Sequence, residues 1–227
     1  MAVSIENYNA LTSELGSRTK LVAVSKMRTV EEIMQLYNWG QRDFGENYVQ
    51  ELIAKQVQLP NDIRWHFIGH LQTKKVKYIG PFIHLIHGVD SFKLLEEIDR
   101  QAGIQKRNIN CLLQIHIAQE ESKFGLNDKE LKEIIESLPK AKLLNKLVNI
   151  RFCGLMGMAS FTENTDQVRK EFKYLKCLFE DAQAEIRNSS FKILSMGMSD
   201  DYKIALEEGS NMVRVGSLLF GKRVYNI

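Results

Sequence analysis

Lys26 closes a short apolar run, Leu21-Val22-Ala23-Val24-Ser25-Lys26, that reads as a buried strand. An amine at the carboxyl end of such a strand stands where α/β folds place their chemistry. In dry apolar surroundings its charged form is disfavoured, and the neutral amine can form a Schiff base with a carbonyl compound. Two stretches near the other end of the chain offer groups for an anion. Ser195-Met196-Gly197-Met198-Ser199-Asp200-Asp201 is a small-residue loop running into a helical pattern, and Arg214-Val215-Gly216-Ser217 leads into a short apolar helix. Backbone N–H groups and hydroxyls in such loops can cradle a phosphate. Each stretch alone is equally an ordinary Gly/Ser turn.

The elements that must position these groups alternate regularly. Strand-like runs fall at 21–25, 43–45, 65–69, 83–89, 111–117, 152–156, 192–195 and 212–215. Between them lie helical patterns over 30–39, 48–58, 92–102, 131–138, 166–186 and 202–208. Thr29 with Glu32, and Asn127 with Glu130, have capping-box spacing at two helix starts. About eight βα units in 227 residues suit a single (β/α)8 barrel, resembling a TIM barrel, better than an open doubly wound sheet. With three prolines and no Gly/Ser linker, the expectation is one domain over residues 1–227.

Composition narrows the functional classes. The chain is 44% hydrophobic and 26% charged, enough for a full core under a soluble surface. Its 31 basic and 28 acidic residues are intermixed, so no basic arm suggests nucleic acid as a partner. Cys111, Cys153 and Cys177 are widely separated, which argues against a disulfide framework or a zinc site and fits a reducing cytoplasm. The first residues lack a signal-peptide pattern, and no apolar run approaches the roughly 20 residues of a membrane span. A cytoplasmic protein with no membrane partner is expected. The lysine-rich stretch 140–146 reads as a solvated loop or helix extension.

In a barrel, phosphate commonly binds in the loops after strands seven and eight, where both cradle stretches fall. An amine and a phosphate cradle at one barrel mouth match the needs of pyridoxal 5'-phosphate (PLP), with Lys26 as the Schiff-base lysine. Arg214 alternates in direction with its neighbours and can face the cofactor ring, where a permanent cation would keep the pyridine nitrogen unprotonated. A salt bridge to a strand-end acid is the competing reading. Glu46 and Asn47 end the second strand at the same mouth. Glu46 suits a general acid/base or a carboxylate capping the next helix, and Asn47 suits a hydrogen bond to a ring hydroxyl or to Lys26.

Other motifs carry less. Residues 216–223 nearly spell a Walker A loop but lack the terminal Ser/Thr and a following helix. His66 and His70 are four apart without a carboxylate in metal-ligand spacing, and no metal site is expected from them. The methionines around Gly154, Gly157 and Gly197 read as adaptable packing.

Together, Ala23-Val24-Ser25-Lys26, Phe44-Gly45-Glu46-Asn47-Tyr48, Trp65 to Gln72, Glu120 to Gly125, Gly154-Leu155-Met156, Ser195 to Asp201 and Val213 to Ser217 span nearly the whole chain in order. This combination resembles the YggS/PROSC family of pyridoxal phosphate homeostasis proteins. The resemblance implies a barrel like the N-terminal domain of alanine racemase, with PLP held as an internal aldimine on Lys26. It places Arg214 at the pyridine nitrogen, Ser199, Gly216 and Ser217 at the phosphate, and Ser195 and Asn47 around them. It implies a carrier or regulator of the vitamin B6 pool with no catalytic residues, whose partners are PLP and apo PLP-dependent enzymes as recipients. Lys75, where relatives often carry asparagine, and the stretch 140–149 depart from the family pattern. The alternative is a PLP-dependent amino acid racemase, and a third reading is a barrel for another phosphorylated metabolite. Related racemases draw a second base, a tyrosine, from a C-terminal β domain of the partner subunit. The sequence shows no such segment after Ser217, so the expectation is a monomeric carrier without turnover.

Overall fold

The computed structural model describes residues 3–120, 123–143, 147–186 and 189–221. Eight parallel strands close into a barrel in sequence order: β1 (Lys20–Val24), β2 (Asp43–Glu46), β3 (Arg64–Phe67), β4 (Leu85–Val89), β5 (Ile109–Ile115), β6 (Ile150–Gly157), β7 (Ile193–Ser195) and β8 (Met212–Val215). The helices between them are α2 (Val30–Asn38), α3 (Val49–Gln56), α4 (Val76–Ile79), α5 (Phe92–Ile104), α6 (Asp128–Leu143), α7 (Thr165–Ile186) and α8 (Tyr202–Glu207). Helix α1 (Ile5–Leu15) precedes the barrel, and α9 (Ser217–Phe220) follows β8. All eight expected strands are present. The expected β5 sits two residues too late: the strand starts at Ile109, and half-buried Asn110 beside it interrupts the apolar run from which the start is read.

The expected capping boxes form. Thr29 accepts from the Glu32 backbone while Glu32 reaches back to Thr29, and Asn127 and Glu130 do the same at α6. Helix α6 continues past its expected end to Leu143, so it takes in the start of the lysine-rich stretch; residues 144–146 lie outside the described residues. Helix α1 and the turn of α4 were not expected. Ser4 caps α1, Tyr8, Leu11 and Leu15 are its buried stripe, and Gly16 ends it at φ 60°.

The main core lies between strands and helices, with Phe44, Phe67, Ile33, Leu52, Phe172 and Phe220 almost wholly buried. A second apolar cluster fills part of the barrel lumen: Val22, Leu85, Leu112, Cys153, Met156 and Met212. Gly45 leaves room there, since a Cβ would stand 3.0 Å from Val22 and 3.1 Å from Ile68. At Gly154, φ 149°, β6 carries one extra residue against β5, and a Cβ would lie 1.8 Å from the Ile193 carbonyl oxygen. Cys111 and Cys153 are buried free thiols and Cys177 is an exposed one. No described helix is long and apolar enough to cross a membrane.

Candidate functional site

The turn after β1 presents Lys26. Arg28 N–H closes it onto the Ser25 carbonyl at 3.0 Å, with Lys26 second and Met27 third at φ 59°. A methionine in that left-handed region costs about 1–3 kcal/mol and persists only where its surroundings enforce it. The enforcement is a buried polar cluster. Met27 N–H donates to Glu51 Oε1 at 2.5 Å. Lys55, only 6% exposed, donates to Glu51, to Glu46 Oε1 and to the Ser25 carbonyl at 2.6–2.7 Å. Ser25 Oγ–H donates to Glu46 Oε1 at 2.6 Å. Burial pushes the Glu46 carboxyl up, against the pull of Lys55. Glu46 is therefore structural, though not as the expected helix cap. It anchors Lys55 and does not cap α3, whose N-cap, Tyr48, makes no side-chain bond.

Across the mouth, Gly197 takes φ 97° in the loop after β7, where a Cβ would meet Ala205 at 2.7 Å. That close approach folds the loop back so that Ser199 Oγ accepts the Gly216 N–H at 3.3 Å. The Ser199 hydroxyl keeps its own proton to donate. Gly216 packs on β1, with a Cβ position 3.3 Å from Val24. Arg214 pairs in register with lumen-facing Val22 and so points inward. Its Nη1 donates to Ser195 Oγ at 2.7 Å and its Nη2 to the Gly157 carbonyl at 2.9 Å. Neither contact is the salt bridge of the competing reading. Burial lowers the Arg214 guanidinium to about 10, which leaves it charged at neutral pH.

Lys26, Asn47, Ser199, Arg214, Gly216 and Ser217 line one cavity of about 250 Å³ at the carboxyl ends of the strands. Lys26 is half-buried beside Arg28 and Arg214, in more polar company than the dry apolar pocket expected for it. Asn47 has a buried Oδ1 with no hydrogen-bond partner. Gly69 holds it there, because a side chain at Gly69 would strike the Asn47 carbonyl oxygen at 2.5 Å. Ser195 is the correction: it is fully buried behind Arg214 and does not line the cavity, so its hydroxyl serves the guanidinium. Sequence reasoning missed Arg28, which also grips the Gly221 carbonyl at 2.5 Å, and the apolar wall of Ile68, Met158 and Phe161. Arg28 lies two residues after Lys26, which was its available signal.

Lys75 stands outside this cavity, and Glu121, Ser122, Lys222 and Arg223 lie outside the described residues. His66 and His70 do not meet. His70 pairs with Asp90 at 3.0 Å, while His66 is buried in the lumen against Asp43 at 3.0 Å and His87 at 2.9 Å. Asp43, His66 and His84 do cluster with metal-ligand atoms within 4.8 Å of one another. Arg64 and Lys20 already neutralise Asp43, at 2.5 and 3.8 Å, which disfavours a further cation.

Residues 4–224 match the family described as alanine racemase, N-terminal domain. The pyridoxal phosphate homeostasis protein of Aquifex aeolicus is 41% identical over 209 residues, 91% of this chain and 88% of the relative. PipY of Synechococcus elongatus PCC7942, solved with PLP bound, superposes with a TM-score of 0.84 at 35% identity, covering 95% of this chain and 99% of PipY. Alanine racemase from Bartonella henselae shares the barrel alone, at a TM-score of 0.71, 17% identity, and coverage of 98% of this chain and 62% of the racemase. With an identity above one third sustained over nine-tenths of its length, and the barrel to match, the chain belongs to the pyridoxal phosphate homeostasis protein family within the alanine racemase N-terminal domain fold.

Proposed function

We propose that this protein binds PLP at the carboxyl-end mouth of the barrel, tethers it on Lys26, and holds and releases it within the cellular vitamin B6 pool. The observation that carries this reading is one cavity that joins an amine, a guanidinium and a hydroxyl-and-glycine cradle drawn from opposite ends of the chain. At about 250 Å³ it lies below the roughly 300–1,000 Å³ of drug-sized pockets and suits a single-ring ligand. The residues present fit the cofactor. The partnerless Asn47 Oδ1 would accept from a ring hydroxyl, Arg214 would donate to an unprotonated ring nitrogen, and Ser199, Gly216 and Ser217 would hold the phosphate. When bound, PLP supplies an aldehyde that condenses reversibly with an amine and releases water.

The lining supports holding over turnover. Among the described residues of the cavity, Asp200 is the one carboxylate, and no tyrosine, histidine or cysteine stands there to act as a second base opposite Lys26. Recipients would be apo PLP-dependent enzymes, with the protein a cytoplasmic monomer built as one domain. Borohydride reduction of the PLP-loaded protein, followed by mass mapping, tests the tether. A pyridoxyl mass on Lys26, lost with the visible absorbance band in Lys26→Ala, is expected. A pyridoxyl mass on another residue, or racemisation of alanine or serine at an enzyme-like rate, would overturn the reading.

A further inference from the structure

A chain of buried polar groups crosses the lumen from the floor of the barrel to the cavity at its mouth. Arg214 Nη1 lies 2.7 Å from Ser195 Oγ, Ser195 Oγ lies 3.2 Å from His87 Nδ1, His87 Nε2 lies 2.9 Å from His66 Nδ1, and His66 Nε2 lies 3.0 Å from Asp43 Oδ1. Each of these residues is at most 5% exposed. Strand registers put them in one lumen. His66 pairs with Leu85, so His87, two residues on, shares the face of Leu85, and Ser195 pairs with Met212, two residues before Arg214.

The proton positions follow from the two ends. Arginine only donates, so the Ser195 oxygen accepts from Arg214 and its single hydroxyl proton goes to His87 Nδ1. His87 then carries its proton on Nε2 and donates to His66 Nδ1, and His66 donates from Nε2 to the Asp43 carboxylate. Burial holds both imidazoles below their ordinary range and therefore neutral. Burial also pushes the Asp43 carboxyl up, but hydrogen bonds from Arg64 and His66 outweigh it and keep Asp43 ionised. Every link has one donor and one acceptor, and the direction is the same throughout.

We propose that His87 and Ser195 are positioning residues for the cofactor ring: they clamp Arg214 from behind through a one-directional hydrogen-bond chain anchored on Asp43 at the opposite end of the barrel. This rests on the PLP reading of the cavity. The clamp fixes which guanidinium N–H groups remain for the ring nitrogen, and it offers that nitrogen no transferable proton. Without the His87 acceptor the Ser195 hydroxyl can turn, and the Arg214 guanidinium loses one of its two anchors.

The imidazole nitrogens decide the chain independently of the cofactor. In the cofactor-free full-length protein, nitrogen NMR should show His66 and His87 both neutral and protonated on Nε2; a protonated Nδ1 on His87 overturns the proposal. With PLP, Ser195→Ala and His87→Leu should each weaken binding about tenfold, the order of one buried hydrogen bond to a charged group, and shift the absorbance band of the bound cofactor. His87→Asn keeps an acceptor near the Nδ1 position and should recover most of both losses. Met212→Leu, a lumen change outside the chain, should alter neither. Wild-type affinity and spectrum in His87→Leu, or no recovery in His87→Asn, overturn the positioning role. Failure of the unaltered protein to take up PLP overturns the cofactor reading and the ring-positioning role with it, while the nitrogen signals still decide whether the chain exists.

Discussion

Lowering the pH from 7.5 to 5.5 should destabilise the cofactor-free protein, by up to about 3 kcal/mol, through His66 and His87. Both are fully buried, and burial lowers their proton affinity in the folded state. A free imidazole titrates near 6.5, so between that value and the lower folded one the unfolded chain binds more protons than the native protein. Their contribution is complete above about pH 6.5 and is lost as pH falls. At pH 5.5 a site that stays neutral when folded and titrates at about 6.5 when unfolded costs RT ln 11, about 1.4 kcal/mol, so two such sites set a ceiling of about 3 kcal/mol. His84, lowered by burial to about 4, acts in the same direction, discounted because it is partly solvated. The Glu46 and Asp201 carboxyls, which burial raises, act in the opposite direction. Urea unfolding across the pH series reads the effect: with a slope of about 2–3 kcal/mol/M, the midpoint should fall by up to about 1 M. His87→Leu should remove about half of that fall. A midpoint that stays level or rises as pH drops would mean that His66 is a cation paired with Asp43, and the neutral chain of hydrogen bonds would be refuted.

Lys55→Met should cost about 3–5 kcal/mol, because Glu46 would remain buried without its counter-charge; calorimetric melting measures it, and a loss under 1 kcal/mol would deny the cluster its role behind Lys26. Gly154→Ala should cost more than about 4 kcal/mol or prevent folding, given φ 149° and the 1.8 Å approach to the Ile193 carbonyl oxygen. Soluble yield and melting temperature report it, and near-native values would show that the β6 bulge can be absorbed. Asn47→Ala should leave the stability of cofactor-free protein within about 0.5 kcal/mol, since Oδ1 has no partner to lose. The same variant should bind PLP more weakly in equilibrium dialysis; unchanged affinity would remove Asn47 from the site.

Much of the architecture was legible because it is written in local patterns. Short apolar runs, helical stripes and two capping boxes mark the βα units, and the residues following β1 and β8 show that Lys26, Gly216 and Ser217 share a mouth. What was hidden depends on register between distant strands. Ser195 looked like a cavity residue because its loop is one, yet β7 ends with it facing the lumen under Arg214. His66 gives no local hint of His87, 21 positions away and on the next strand. Lys55 resembles any solvated helix lysine four residues after a glutamate, and only the packing of α3 over the end of β1 buries it.

The seam between β7 and β8 has a single registered pair, Ser195 and Met212, and is completed by bonds from flanking residues: Arg214 N–H to the Gly197 carbonyl and Asn211 N–H to the Leu194 carbonyl. The cavity at the mouth of the barrel takes most of its lining from the segments after β1, β7 and β8, with Asn47, Ile68, Met158 and Phe161 added from the ends of β2, β3 and β6. A ligand seated there is a clasp on the ring: it joins the first strand to the last two, which no partly assembled barrel can present together. Its binding energy therefore stabilises closure of the whole circle and opposes local opening at that joint. By linkage the effect is reciprocal: whatever loosens that joint weakens the hold on the ligand, and the seated ligand in turn firms the joint.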